Sequence, residues 1–398
     1  MPAAERPWCV KTVYFDYNAT TPLDPSVQQA MVACLVESFG NPSSQHQIGR
    51  SARVVLDDCR QRVAEVLTCK PGELVFTSGG TESNNLAIGG AARRSEARGR
   101  HLITSAIEHH SVLNCFEHLA RRENFKLTVL PVDDQGVVNP DSLRQSIRAD
   151  TSLVSVMAAN NETGVLQPFV DLGEICRENG VLFHTDAAQY LGKLPVSSIA
   201  DFHADLVTFC AHKFHGPKGI GLLYVKSPLR LAPALHGGSQ EDERRPGTEN
   251  LASILGLTLA LELSATSPVF SSASLGPMIS RLETLPTLID GIEIIGQRMP
   301  RLPNTVSFTI QNCDNAAMIA AMDLEGVCVS GGSACSTGAL LPSHVLLAMG
   351  RSLTEARSFL RLSLGRENNI EEVDRVLAVM PNLIRRIRAA NILGFSGE

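Results

Sequence analysis

The sequence predicts an α/β protein: a large domain on a mostly parallel seven-stranded sheet, with a smaller α+β domain packed against it. Three observations predict this. A chain of 398 residues is long for one hydrophobic core and suits two packed units. Between about Asp24 and Leu263 short apolar runs alternate with helical stretches, the strand-then-helix order that builds parallel sheets. After about Ser264 that order changes, past Ser-Ala-Thr-Ser-Pro and Ser-Ser-Ala-Ser-Leu-Gly-Pro, both boundary chemistry.

In chain order, an N-terminal arm over 1–14 is expected to join the smaller domain, whose main part is 265–398; the larger domain is 15–264. Asp24-Pro25 is a helix start, a capping carboxylate followed by a proline at the first turn. Strands are expected at Glu73–Thr77, His101–Ser105, Lys126–Leu130, Leu153–Met157, Val181–Thr185, Leu206–Phe209 and Gly221–Val225. Helices fit between many of them, including Glu82–Ala92 and Asp171–Asn179. The smaller domain reads helix, strand, helix, strand, with a last helix near Ile370–Asn391.

Composition excludes several classes of function. Hydrophobic residues make up 44% and charged residues 19%, which is ordinary for a globular protein. The net charge of −6 is the wrong sign for a nucleic-acid binder, which carries a basic face or stripe. Arg93-Arg94, Arg121-Arg122 and Arg385-Arg386 read as solvated helix faces. The N-terminus lacks the apolar core of a signal peptide, and no run reaches the roughly 18 apolar residues of a membrane span. A cytoplasmic protein with no membrane partner is the expectation. The ten cysteines are scattered singly with no C-x-x-C pair, so no metal site is assigned; most are expected reduced and buried as small apolar residues.

Four segments carry polar residues at predicted strand ends, where ligands of open α/β sheets gather. Lys213, in Cys210-Ala-His-Lys213-Phe-His-Gly, follows one strand and precedes another. Partly desolvated there, its amine would be neutral and nucleophilic; locally it also reads as a surface-loop lysine. Asp186 ends the run Val181-Leu-Phe-His-Thr-Asp186, and reads as either a helix cap or an acid able to keep a pyridine nitrogen protonated. Phe76-Thr-Ser-Gly79-Gly80-Thr81 is a strand, glycines and a helix start, suited to phosphate through backbone amides or to a plain capped turn. It is neither a P-loop nor a Rossmann fingerprint. His109, in Glu108-His109-His110-Ser111, either caps a helix or stacks on an aromatic cofactor and moves protons.

These segments, in this order, resemble the cysteine desulfurases of the NifS/IscS type over essentially the whole chain. The matching stretches are Asp16-Tyr-Asn-Ala-Thr-Thr-Pro, Gly40-Asn-Pro-Ser-Ser, Phe76-Thr-Ser-Gly-Gly-Thr-Glu-Ser-Asn-Asn, Glu108-His109, Asn160-Asn-Glu-Thr-Gly, His184-Thr-Asp-Ala-Ala-Gln, His212-Lys213, Arg245-Pro-Gly-Thr-Glu-Asn, Ser333-Ala-Cys335-Ser and Arg361-Leu-Ser. The resemblance implies a fold-type-I enzyme dependent on pyridoxal 5'-phosphate, acting as a homodimer. It implies that Lys213 forms a Schiff base with the cofactor, His109 stacks on the ring, Asp186 pairs with the pyridinium and Gln189 hydrogen-bonds the ring hydroxyl. Gly80, Thr81, Cys210 and His212 would surround the phosphate, and Thr248 would reach the phosphate of the neighbouring subunit. Asn161, also counted with the cofactor-binding residues, and Arg361 would position the substrate carboxylate, for which a planar guanidinium is suited. Two departures stand out: many relatives carry serine at Cys210, and Gln240-Glu-Asp-Glu-Arg-Arg is unusually acidic.

Cys335 sits in Val327-Cys-Val-Ser-Gly-Gly-Ser-Ala-Cys335-Ser-Thr-Gly, a short strand running into a Gly/Ser loop, whereas Cys328 lies in the apolar run and reads as core. Locally Cys335 is an incidental loop cysteine. The resemblance makes it the sulfur acceptor, giving L-alanine from L-cysteine and a persulfide for a sulfur-acceptor protein such as an iron–sulfur scaffold. A selenocysteine lyase shares the fold, cofactor and loop cysteine and stays open on sequence alone; an aminotransferase would not need Cys335.

Overall fold

The computed structural model of the chain describes residues 12–266, 270–332 and 341–394. The chain enters through β1 (Val13–Tyr14) and α1 (Pro25–Glu37), where Asp24 accepts from the Ser26 amide at 2.8 Å ahead of Pro25. There follow α2 (Gln47–Leu67), β2 (Leu74–Thr77), α3 (Gly80–Arg94), β3 (His101–Ser105), α4 (His110–Arg122), β4 (Lys126–Leu130), α5 (Pro140–Ser146), β5 (Thr151–Ser155), α6 (Phe169–Glu178), β6 (Leu182–Asp186), β7 (Leu206–Cys210), β8 (Gly221–Val225) and α7 (Leu251–Thr266).

β2 to β8 form one seven-stranded sheet in the order β2-β8-β7-β6-β5-β3-β4. β8 runs antiparallel to both its neighbours, and the other ladders are parallel. The short link from β7 to β8 explains the reversal, because a parallel return needs a crossover of a dozen or more residues. β2, β3, β5, β7 and β8 are buried along their whole length, as strands covered by helices on both faces must be.

Two expected strands are shifted: Val181–Thr185 by one residue, to Leu182–Asp186, and Leu153–Met157 by two, so that its ladder begins at Thr151 and ends at Ser155. At its start Thr151 pairs with His101, whose ring Nδ1 meets the Thr151 hydroxyl at 2.8 Å. At its end the Met157 amide leaves the sheet to donate to the Glu108 carboxyl group at 2.9 Å.

Beyond α7 come α8 (Ser272–Leu282), α9 (Leu285–Leu288), β9 (Ile292–Ile294), β10 (Thr305–Ile310), α10 (Asn315–Leu324), β11 (Val327–Cys328), α11 (His344–Ala348), α12 (Leu353–Arg357), β12 (Phe359–Ser363) and α13 (Ile370–Gly394). β12, β10 and β9 form an antiparallel sheet, and β1 pairs with β11 in parallel. The sheet packs its own core, including Val306, Phe308, Leu360 and Leu362 with Leu282, Met318 and Val376. Val13 of the N-terminal arm is buried in that same core, and so are Phe15 and Tyr17, just past the arm's expected end at 14. Among the described residues no helix is long and apolar enough to cross a membrane.

Candidate active site

The carboxyl ends of β6 and β7 and the first turns of α3 and α4 face a cleft of about 210 Å³. Lys213 reaches it from the single turn of 3-10 helix, Ala211–Lys213, that follows β7. Its Nζ donates to the carbonyls of Asn18 and Ala19, both at 2.8 Å. Asp186 closes β6 and is 7% exposed. One carboxylate oxygen accepts from the Ala188 amide at 3.0 Å, the other from Asn84 Nδ2 at 2.7 Å.

Gly79 takes φ 154° and ψ −178° ahead of α3, a conformation open essentially to glycine alone. A side chain on Gly221 of the adjoining strand would strike Gly79 at 2.6 Å, so two glycines let this turn press on the sheet. The first turn of α3 then presents Gly80 and Thr81 to the cleft, with backbone N–H groups that no intrahelical carbonyl satisfies. The buried Cys210 thiol lies against the backbone N–H groups of Gly80 and His212. Burial, followed by the charges of Lys213 and Lys218, pushes the His212 imidazole down to about 4, so it is neutral near pH 7.

His109 caps α4: its Nδ1 accepts from the Ser111 amide at 3.1 Å and sits 2.7 Å from the Ser111 hydroxyl. Burial lowers its pKa, an effect opposed by Asp186 and reinforced by Lys213. Asn84, which donates to Asp186, also donates to Ser111 Oγ at 2.8 Å. A hydrogen-bonded chain therefore runs from Asp186 through Asn84 and Ser111 to His109.

Arg361, on β12, is 1% exposed. Its Nη1 donates to the Asn161 carbonyl at 2.7 Å and its Nη2 to Asp16 at 2.6 Å. Asn161 and Gln189 line the same cleft. The structure thus brings together Gly80, Thr81, His109, Asn161, Asp186, Gln189, Cys210, His212, Lys213 and Arg361. Thr248 is exposed and does not line this cleft. Cys335 lies outside the described residues.

The acidic stretch after Gln240 has a structural reason. The buried Glu241 carboxylate accepts from the Phe76 amide at 3.1 Å, on the edge strand β2, and pairs with Arg60. It satisfies an edge amide that no further strand reaches. Cys328 is only half-buried, where the sequence reading had it in the core; its strand β11 lies in a two-stranded sheet.

The sequence reading gave no role to Asn18, Asn84, Ser111 or Lys193. Asn84 had a signal available: it lies one helical turn beyond Gly80, on the same face of α3. Ser111 lies two positions beyond His109, and Lys193 four beyond Gln189; Asn18 meets the site from a distant segment.

Beneath His109, Glu108 is fully buried. The Ser105 hydroxyl and the Met157 amide donate to one carboxyl oxygen, at 2.6 and 2.9 Å, and the other has no partner among the described residues. Burial pushes its pKa up from 4.5 to about 8. The folded protein holds that proton up to about pH 8, whereas the unfolded chain releases it near 4.5. Between these values Glu108 disfavours folding, increasingly as pH rises. Glu108→Gln keeps the accepting oxygen and removes the titration. Its stability relative to the wild type should rise between pH 5 and 8, by at most about 1.4 kcal/mol per pH unit, and the gap in melting temperature should widen accordingly. A constant margin across that range in thermal denaturation would refute this.

Residues 13–376 match the family described as aminotransferase class-V. A protein named cysteine desulfurase IscS, from Dictyoglomus turgidum, is 41% identical over 387 residues, covering 95% of this chain and 96% of that protein. A solved structure described as a NifS-like protein matches with a TM-score of 0.85 at 36% identity, over 96% of this chain and 100% of that one. The structure of SspA in complex with cysteine matches with a TM-score of 0.79 at 36% identity, over 90% of this chain and 100% of that one. With its seven-stranded sheet, its cleft at the strand ends and these matches along nearly its full length, the chain belongs to the class-V aminotransferase family and, within it, to the cysteine desulfurases.

Proposed function

We propose that this protein takes sulfur from L-cysteine with the help of pyridoxal phosphate, releases L-alanine and carries the sulfur as a persulfide on Cys335. The observation that carries the reading is the convergence of the Lys213 amine, the buried Asp186 carboxylate and the Arg361 guanidinium on one cleft. SspA, the solved relative described in complex with cysteine, supports the choice of substrate.

The donor set fits the cofactor. Lys213 offers an amine for its aldehyde, Asp186 a carboxylate for its ring nitrogen, and the start of α3 backbone amides for its phosphate. His109 would lie against the ring and Gln189 at its hydroxyl; Cys210 and His212 would flank the phosphate with Gly80 and Thr81. Pyridoxal phosphate, when bound, supplies a protonated ring that draws electron density from the substrate Cα.

The chain's own groups do the rest. Arg361, held flat by Asp16 and the Asn161 carbonyl, would receive the substrate carboxylate, with Asn161 beside it. Lys213, displaced by the substrate amine, would take the Cα proton. His109, kept neutral by burial, would serve as acid and base for the attacking thiol. The Cys335 thiolate would then attack the substrate sulfur; the C–S bond breaks, the sulfur stays on Cys335 and alanine leaves after protonation. The described residues on either side of the Cys335 segment support its reach. Ser343 Oγ donates to Glu162 at 2.5 Å, and Gly332 lies beside the same carboxylate, next to Asn161.

Residues 15–264 are read as the cofactor-binding domain, and 1–14 with 265–398 as the smaller one. A homodimer is supported by Val32, Leu35 and Val36 on α1 and Phe39 just beyond it, each more than half exposed, an apolar patch of the kind that marks an interface. Thr248, exposed and outside the lining of its own cleft, would serve the partner's. The described cysteines are all free, as in a reducing cytoplasm. The recipient of the sulfur would be an acceptor protein such as an iron–sulfur scaffold.

Mass spectrometry of the protein after addition of L-cysteine, without reductant, should locate one extra sulfur on the peptide containing Cys335; sulfur on another cysteine, or none, overturns the proposal. A second expectation concerns Asn84. Asn84→Ala removes a hydrogen bond to the Asp186 carboxylate and breaks the chain to His109. Hydrogen bonds to charged groups contribute about 1.5–3 kcal/mol, so the affinity of the apoprotein for pyridoxal phosphate should fall about tenfold or more, measured by equilibrium titration.

A further inference from the structure

Lys193 is 2% exposed and plays no part in the steps above. Its Nζ donates to two neutral amide oxygens, Asn18 Oδ1 and Gln189 Oε1, each at 2.5 Å, and lies 5.5 Å from the centre of the Phe270 ring. Among the described residues no carboxylate forms an ion pair with it. The charged groups that bear on it are Lys213 and Arg361, which disfavour its charge, and, more weakly, Asp16, which favours it. A buried amine in such surroundings is costly, and a methionine would fill the same space without that cost.

Its contacts lead into the site. Gln189 Oε1 faces the Lys193 amine, while Gln189 Nε2 donates to the Asn18 carbonyl at 2.9 Å. That carbonyl also accepts from Lys213 Nζ. Turning the Gln189 amide over would set N–H against the amine and oxygen against the carbonyl, two repulsive contacts in place of two hydrogen bonds. Gln189 therefore has one orientation, and its remaining N–H, rather than its oxygen, is available to the cleft.

We propose that Lys193 is a positioning residue: it locks the Gln189 amide so that an N–H donor, and not a carbonyl, meets the ring oxygen of the cofactor. This rests on the reading of Gln189 as the residue facing that oxygen. A donor there weakens the oxygen's hold on the proton it shares with the Lys213–cofactor nitrogen, which lowers the pH at which that proton leaves.

The test is a pH titration of the visible absorbance of purified holoenzyme. Lys193→Met frees the amide to turn. The midpoint should rise by about 1 to 2 pH units, the equivalent of one hydrogen bond to a charged group at 1.36 kcal/mol per unit. Folded Lys193→Met holoenzyme, with normal circular dichroism and cofactor content and an unchanged midpoint, overturns the proposal; a filler role would alter stability alone. Should Lys193→Met fail to fold, Gln189→Glu serves. The Lys193 amine then faces a carboxylate, so the protein folds, and the cleft meets an acceptor, so the midpoint rises. A folded Gln189→Glu holoenzyme that titrates like the wild type is equally fatal. A Gln189→Leu midpoint equal to that of the wild type removes instead the reading that Gln189 faces the ring.

Discussion

Lys213→Ala should bind no cofactor covalently, lose the visible absorbance of the holoenzyme and form alanine from cysteine at least about ten-thousandfold more slowly, the upper range for loss of a general acid–base group alone. The expectation follows from position. Lys213 stands at the carboxyl end of β7, where the chain must turn back into β8, and its Nζ is the amine that shares the cleft with Asp186. Lys193 cannot substitute, because its Nζ is committed to Asn18 and Gln189 below the cleft. The fold should survive. Losing the amine leaves the Asn18 carbonyl still accepting from Gln189 Nε2, so the cost in stability should stay near 1 kcal/mol. Circular dichroism and thermal denaturation check the fold, absorbance the linkage and alanine release the rate. A variant that keeps the visible band would remove Lys213 from its role and leave the fold assignment untouched.

The parts of this site that were legible in the sequence are those written in contiguous residues. Asp186 could be found because an apolar run ends on it, and Lys213 because it lies between two such runs. The strand ends were displaced by a residue or two where side chains intervene, as at Thr151 with its hydroxyl on His101. The reversal of β8 depends on the length of one link. Several contacts of the residues that went unread join distant segments. Asn18 meets Lys193 and Lys213 from 175 and 195 positions away, and Asn84 meets Asp186 across 102. No periodicity or spacing encodes such pairs. Lys193 is misleading as well, since a lysine in a turn reads as solvated while this one is enclosed. Arg361 sits in an apolar strand as its polar exception; only the fold puts it beside Asp16 and Asn161.

Cys335→Ala should bind pyridoxal phosphate normally and yet accumulate no persulfide, with sulfide and alanine formation in the presence of a thiol reductant falling to background. A sulfur-accepting cysteine must be present as thiolate and within reach of the substrate. Among the described residues no cysteine is favoured as thiolate. Burial raises the pKa of Cys34, Cys176, Cys210 and Cys328, and pushes Cys59, Cys115 and Cys313 to about 11 and Cys69 to about 12. Cys210 is the rival within the cleft, but its thiol is buried against two backbone amides, which fixes it in place. Delivery to a second protein requires a sulfur that can leave the cleft, and Gly332 and Ser343, before and after Cys335, meet Glu162, the residue next to Asn161 of the cleft. Cys328→Ser, altered upstream of the same segment, should still form the persulfide. If Cys335→Ala makes sulfide and alanine at the wild-type rate, the attack on sulfur does not belong to Cys335, and the cleft residues must then release sulfur without a protein thiol.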